Sequence, residues 1–337
     1  MAKFDKSLFE QLDSLTVLHP AFTAGRDAVT RALENSQRFH DRSLLPVIGP
    51  SRCGKTRLVE ICMASYIAAH GEDPKRASVR YVPLPRSKHP KAVLMKLQHR
   101  LGYPLFYVGS EETMQIRCLQ LLDRLKVHTL IFDEKQHCVS QEGTVNFAVA
   151  DLFKVLLDEA GVAVIGSGLE EAAAVLEANE QLTGRCSQAV RLPRFLWIDK
   201  KSRADFIAAI NGFGLGLPSL RLPDFTNDDL AFAWYIASGG LIGIVHKIFR
   251  QILLDAERDS RMRVTLEDLD AAYAVAVYRR GGPEKPFTRE FKKAEVAAAL
   301  DFAARIGERV LPAPREPAKR GHRRTREELA HAAVAEF

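Results

Sequence analysis

The chain is poor in cysteine, with five in 337 residues: Cys53, Cys62, Cys118, Cys138 and Cys186. None has the paired spacing that frames a zinc ion or a disulfide-stapled domain, so they read as reduced, mostly buried thiols. Cys53 alone falls inside a motif with chemistry. Long hydrophobic runs are absent too. Every Leu/Ala/Val-rich stretch is broken by charge well short of a membrane span, and Met1–Phe9 carries no signal-peptide pattern. A cytoplasmic protein with no membrane partner is expected. The sequence has no internal repeat, no acidic triad of the nuclease or transposase kind, and no recognisable helix-turn-helix region near its end. These absences argue against a protein that cuts DNA or reads one DNA sequence.

What is present fits a globular protein: 47% hydrophobic residues, 27% charged, and enough length for a larger and a smaller domain, each with its own core. The net charge is +6. The excess gathers in the tail at Arg305, Arg309, Arg315, Lys319, Arg320, Arg323, Arg324 and Arg326, interleaved with Pro312, Pro314 and Pro317. Such a segment is too polar and Pro-rich to pack, and reads as a flexible basic arm. It suits nucleic acid or an acidic protein, or is simply solvated.

Periodicity predicts a helix over Ala24–Phe39, a strand over Leu44–Ile48 ending at Gly49, and a helix over Lys55–His70. A second strand, Arg80–Pro83, precedes helices over Lys91–Leu101 and Glu111–Leu125. His128–Phe132 is a continuous apolar run of the kind buried on both faces. A helix over Val145–Ala160, a strand over Val162–Ile165 and a helix over Leu169–Asn179 follow. Alternating strands and helices predict the α/β class, a parallel sheet sandwiched by helices. Beyond Val190–Leu192 only helices are expected, over Lys201–Asn211, Asn227–Ala237, Leu241–Arg258 and Leu266–Tyr278. The last opens with a capping pattern at Thr265–Asp268. These make a small all-helical lid, followed by one more helix and the basic tail.

The chemistry concentrates in Gly49-Pro50-Ser51-Arg52-Cys53-Gly54-Lys55-Thr56, a phosphate-binding loop in its expected place between strand and helix. Small residues let backbone N–H groups wrap a phosphate, and the next helix points its positive end at it. Lys55 would neutralise the β- and γ-phosphates of ATP, and the Thr56 hydroxyl would ligate Mg2+, with Arg57 the next residue of the set. Downstream, Leu130-Ile-Phe-Asp133-Glu134 puts two acids after an apolar strand. Asp133 would hold the Mg2+ and Glu134 would orient the attacking water. Ser167, after the next strand, either senses the γ-phosphate or serves a Gly-Ser-Gly turn. Arg185, beyond the following helix, is placed to reach a neighbouring subunit's nucleotide.

Together these motifs resemble the TniB/TnsC transposition ATPases, a branch of the AAA+ initiator group, from about Leu18 to Tyr278. The resemblance rests on Val47–Thr56, Leu130–Glu134, Val164-Ile-Gly-Ser-Gly168, Asn179-Glu-Gln-Leu182 with Arg185, and Ser238-Gly-Gly-Leu-Ile-Gly-Ile244. It implies a P-loop AAA+ ATPase that assembles with ATP into a ring or helical filament on duplex DNA. The implied partners are a transposase and a TniQ-type target-selection protein. It implies Arg185 as the finger, and DNA contacts by Arg86, Lys88, Lys91, Lys96 and Ser110. Such contacts would go to phosphates and be sequence-independent and salt-sensitive. Ile244 stands where relatives often carry a sensor arginine; His246 or Lys247 is the candidate substitute. The expected division is an N-terminal helical segment (1–40), the nucleotide-binding domain (41–195), the lid (196–280), and the C-terminal helix and tail (281–337). A replication-type loader and a protein-directed signalling ATPase are the competing readings.

Overall fold

The computed structural model of the protein describes residues 7–85, 89–133, 147–168, 180–278, 283 and 285–306. The expected helix at Leu169–Asn179 lies outside them. Helices α1 (Ser7–Ser14) and α2 (Pro20–Phe39) precede strand β1 (Leu44–Ile48), then α3 (Lys55–Ala69) and β2 (Val79–Pro83). Next come α4 (Pro90–Arg100), α5 (Glu111–Arg124), β3 (Thr129–Asp133), α6 (Phe147–Asp158) and β4 (Ala163–Gly168). A single turn, α7 (Glu180–Thr183), leads to β5 (Val190–Arg191).

The five strands are parallel in the order β2-β3-β4-β1-β5. β1, β3 and β4 are buried along their whole lengths, as continuous apolar runs require. Alternation then splits each strand between two cores. Leu44, Leu130, Phe132 and Val164 face α4, α5 and α6, packing on Leu94, Leu97, Leu122 and Leu156. Leu45, Val47, Ile131 and Ile165 face α2 and α3, packing on Val29, Leu33, Leu58 and Val59. Pro46 is tolerated in mid-strand because β5 pairs only with Val47 and Ile48. Leu44 N–H bonds Arg185 O on that edge, and residue 46 faces the same way, where no ladder bond is lost.

The remaining helices are α8 (Lys200–Leu215), α9 (Asp228–Ser238), α10 (Ile242–Asp259), α11 (Leu266–Ala276) and α12 (Lys293–Arg305). They share a third core around Trp234, Phe249, Phe206 and Tyr273. Leu8 and Leu12 of α1 belong to this core, whereas Phe22, Val29 and Leu33 of α2 belong to the sheet. Helices α1 and α2 are thus shared between two cores, and Ala299 and Ala303 bring α12 into the helical one. The capping box at Thr265 and Asp268 is present. Among the described residues no single helix is long and apolar enough to cross a membrane. The α9–α10 pair passes by length and composition but is bent by 103°, and its apolar residues fill the helical core.

Candidate nucleotide site

The loop between β1 and α3 is shaped by close approaches. A side chain at Gly49 would put its Cβ 2.2 Å from Leu192 O, and Gly54 has φ 100°, so both positions require glycine. α3 then starts at Lys55 with no side-chain cap on its first-turn N–H groups, the arrangement that suits an anion. Lys55 Nζ lies 2.8 Å from Gly49 O and 2.7 Å from Pro50 O, across the mouth of the loop. Cys53 is buried beneath it, and burial pushes its thiol up against the opposing pull of Lys55. That leaves it protonated at neutral pH, with no sign of an activated thiolate. Arg57 departs from the loop set: its guanidinium donates to Ser14 O at 2.7 Å and to the Thr16 hydroxyl at 3.3 Å, tying α3 to the α1–α2 connection.

Asp133, the last residue of β3, is buried. Its Oδ2 accepts from Thr56 Oγ1 at 2.7 Å and from Tyr81 Oη at 2.7 Å. Between β1 and β3 runs β4, which continues through Gly166, Ser167 and Gly168 in register with Pro46, Val47 and Ile48. Ser167 therefore sits inside the ladder, two residues beyond the shorter strand expected, and serves no turn. Its Oγ is fully buried and has no hydrogen-bond partner among the described residues. Glu134 lies outside the described residues.

These groups fit a nucleotide with magnesium. The loop is a cradle that a Cβ at Gly49 would fill, the donor set of hydroxyl and carboxylate suits a hard cation, and Ser167 Oγ is an orphaned polar atom on the strand between. Among the described residues no cluster of three or more His, Cys, Asp or Glu offers another metal site.

Other candidate residues lie apart. Arg185 makes a bidentate pair with Asp158, Nε–Oδ1 at 2.8 Å and a second bond at 2.9 Å. Its carbonyl accepts Leu44 N–H, which puts it at the start of β1, about 13 Å of strand from the phosphate loop. Ile244 packs against the helical core. His246 is engaged with Asp13 at 3.5 Å, its imidazole pushed down by burial against the pull of that carboxylate, and Lys247 is exposed. Arg86 and Lys88 lie outside the described residues. Lys91 is exposed and Lys96 half-buried; five positions apart, they point about 140° apart around α4. The Ser110 hydroxyl accepts Thr113 N–H at 3.2 Å and caps α5.

Two further contacts at the site, like the Arg185–Asp158 pair, had no signal in the sequence. One is the Tyr81 bond to Asp133, made across neighbouring strands. The other joins the lid to the loop: Gly243 N–H in the first turn of α10 donates to Arg52 O at 2.8 Å. Arg52 has φ 66°, and a Cβ on Gly243 would stand 2.7 Å from that oxygen.

A parallel 2-3-4-1-5 sheet, a phosphate loop after β1, an acid ending β3 and a helical lid against the loop define a P-loop AAA+ protein. Residues 19–196 match the family described as bacterial TniB protein, and the chain belongs to it. Solved structures agree on the fold. The Aeropyrum pernix ORC1 protein in complex with DNA superposes with a TM-score of 0.59 at 17% identity, over 77% of this chain and 66% of that one. The A. pernix ORC2 protein in ADPNP-ADP complexes gives 0.58 at 14%, over 82% and 73%. Cdc6p from Pyrobaculum aerophilum gives 0.57 at 13%, over 98% and 89%. No curated protein matches in sequence.

Proposed function

We propose that the protein is an ATPase that regulates DNA transposition, assembling with ATP on duplex DNA and linking a TniQ-type target-selection protein to a transposase. The observation that carries the reading is the constellation of Lys55 across the loop mouth and Thr56 on Asp133 Oδ2, in a chain of the TniB family. Lys55 exchanges the carbonyls of Gly49 and Pro50 for the β- and γ-phosphates, and the N–H groups of Ser51–Thr56 wrap them. Thr56 and Asp133 would hold a magnesium ion, which would supply charge neutralisation at the phosphates. Glu134 orients and polarises the attacking water, whose oxygen bonds the γ-phosphorus as the bond to ADP breaks and whose proton passes to the Glu134 carboxylate. Ser167 Oγ donates to the γ-phosphate or to that water.

Arg185 acts on a neighbour. A residue at the start of β1 does not reach the loop at its far end, so a second copy must present it. Lys91 and Lys96, with Arg86 and Lys88, contribute phosphate contacts on DNA, and the basic tail adds charge to a DNA or protein partner. Ser110 contributes its backbone, since its hydroxyl is committed to the cap.

Negative-stain electron microscopy with duplex DNA tests this, comparing ATP, a non-hydrolysable analogue, ADP and no nucleotide. Rings or filaments on DNA are expected only with the triphosphate, and Lys55→Ala abolishes them. Assembly without DNA, or none, would move the function to a protein-directed ATPase.

A further inference from the structure

We infer that Tyr81 is a positioning residue for the magnesium at this site: its phenol holds the Asp133 carboxylate in the orientation in which Thr56 and Asp133 bind the ion. The inference rests on the nucleotide-binding reading above and deepens it.

The argument begins with register. Tyr81 on β2 stands opposite Ile131 on β3, and Pro83 opposite Asp133. Side chains two apart on a strand share a face, so Tyr81, Ile131 and Asp133 all look toward α3. The ring packs, half-buried, against the core that Ile131, Val59 and Cys62 form there. Packing alone asks only for a phenylalanine. The hydroxyl reaches two residues forward along the ladder and lands 2.7 Å from Asp133 Oδ2.

Its direction is fixed by chemistry. An ionised carboxylate only accepts, so Tyr81 donates, as does Thr56 to the same oxygen from the other side. A hydroxyl whose proton is committed to Asp133 turns its lone pairs elsewhere, and at Thr56 these are what a magnesium ion takes. Two short charge-assisted bonds to Oδ2 stop the carboxylate from rotating. Groups that orient a metal's ligands in this way are typically worth about 10- to 100-fold in metal affinity or activity. The sequence hides the role, because Tyr81 and Asp133 are 52 residues apart and no motif links them.

The test is equilibrium binding of a fluorescent ATP analogue to the full chain, titrated with magnesium, for wild type, Tyr81→Phe and Lys55→Ala. Binding in EDTA should be the same for wild type and Tyr81→Phe, while the magnesium needed for half-maximal binding rises about 10-fold in the variant. A magnesium requirement that stays put or falls overturns the inference and leaves the nucleotide site intact. Weakening by the same factor in EDTA makes Tyr81 a general part of the nucleotide pocket and also overturns it. A wild-type protein that binds no nucleotide, like Lys55→Ala, defeats the underlying reading instead.

Discussion

At Cys53 two influences oppose each other: burial raises the thiol, and the Lys55 ammonium lowers it, with burial the larger. Cys62 is raised the same way, and Cys118 is pushed up to about 12. The sign for stability follows. A thiol harder to ionise when folded contributes fully below the pKa of unfolded cysteine, about 8.5. Above it the unfolded chain releases protons that the folded chain keeps, so that contribution is lost as pH climbs toward the folded values. The urea midpoint should therefore fall between pH 8 and pH 10, and less so once Cys53, Cys62 and Cys118 are replaced by alanine or serine in a variant that still folds. Alkylation of native protein by iodoacetamide at pH 8 should run slower than that of free cysteine. Rapid labelling of Cys53 would show an activated thiolate and contradict this account. The same residue scale explains why Arg57 was grouped with the loop from sequence. It follows Thr56 directly, but on a helix the next residue points about 100° away, here toward Ser14 and Thr16.

Among elements, the contact of α10 with the phosphate loop leaves no room for a side chain. Gly243 donates to Arg52 O, and a methyl group at that position would press on the same oxygen. Gly243→Ala should cost about 1–3 kcal/mol in urea unfolding, as overpacking does, and should raise the nucleotide dissociation constant. Unchanged binding and stability would mean that the lid does not depend on this contact. Most elements were legible in the sequence. β1 begins and ends where the apolar run does, and the Thr265–Asp268 capping box is where its side chains predict. β4 was read short, because Gly166, Ser167 and Gly168 look like a turn until the ladder with β1 holds them extended. What was not legible was contact between distant segments. Tyr81 to Asp133, Gly243 to Arg52 and Arg185 to Asp158 each join elements that no local periodicity relates.

At the scale of the molecule, three cores serve one site: two flank the sheet, and the third anchors α10 against the loop between β1 and α3. On the proposed reading the site is incomplete within one chain, because Arg185 stands at the opposite end of β1. Mixing two inactive variants examines this directly. Glu134→Gln, which keeps the nucleotide-binding loop, and Arg185→Ala should each lose turnover. A 1:1 mixture should recover about a quarter of the wild-type rate, the share of junctions that random assortment makes whole in a head-to-tail assembly. No recovery, with Arg185→Ala alone as active as wild type, would remove Arg185 from the mechanism. The placement of Arg185 carries one more consequence. A row of copies joined this way is directional. Its first member offers an arginine that no neighbour receives, and its last holds a nucleotide that no neighbour attends. The two ends would then age at different rates, and the unattended one would keep its triphosphate longest. Only a closed ring escapes the asymmetry.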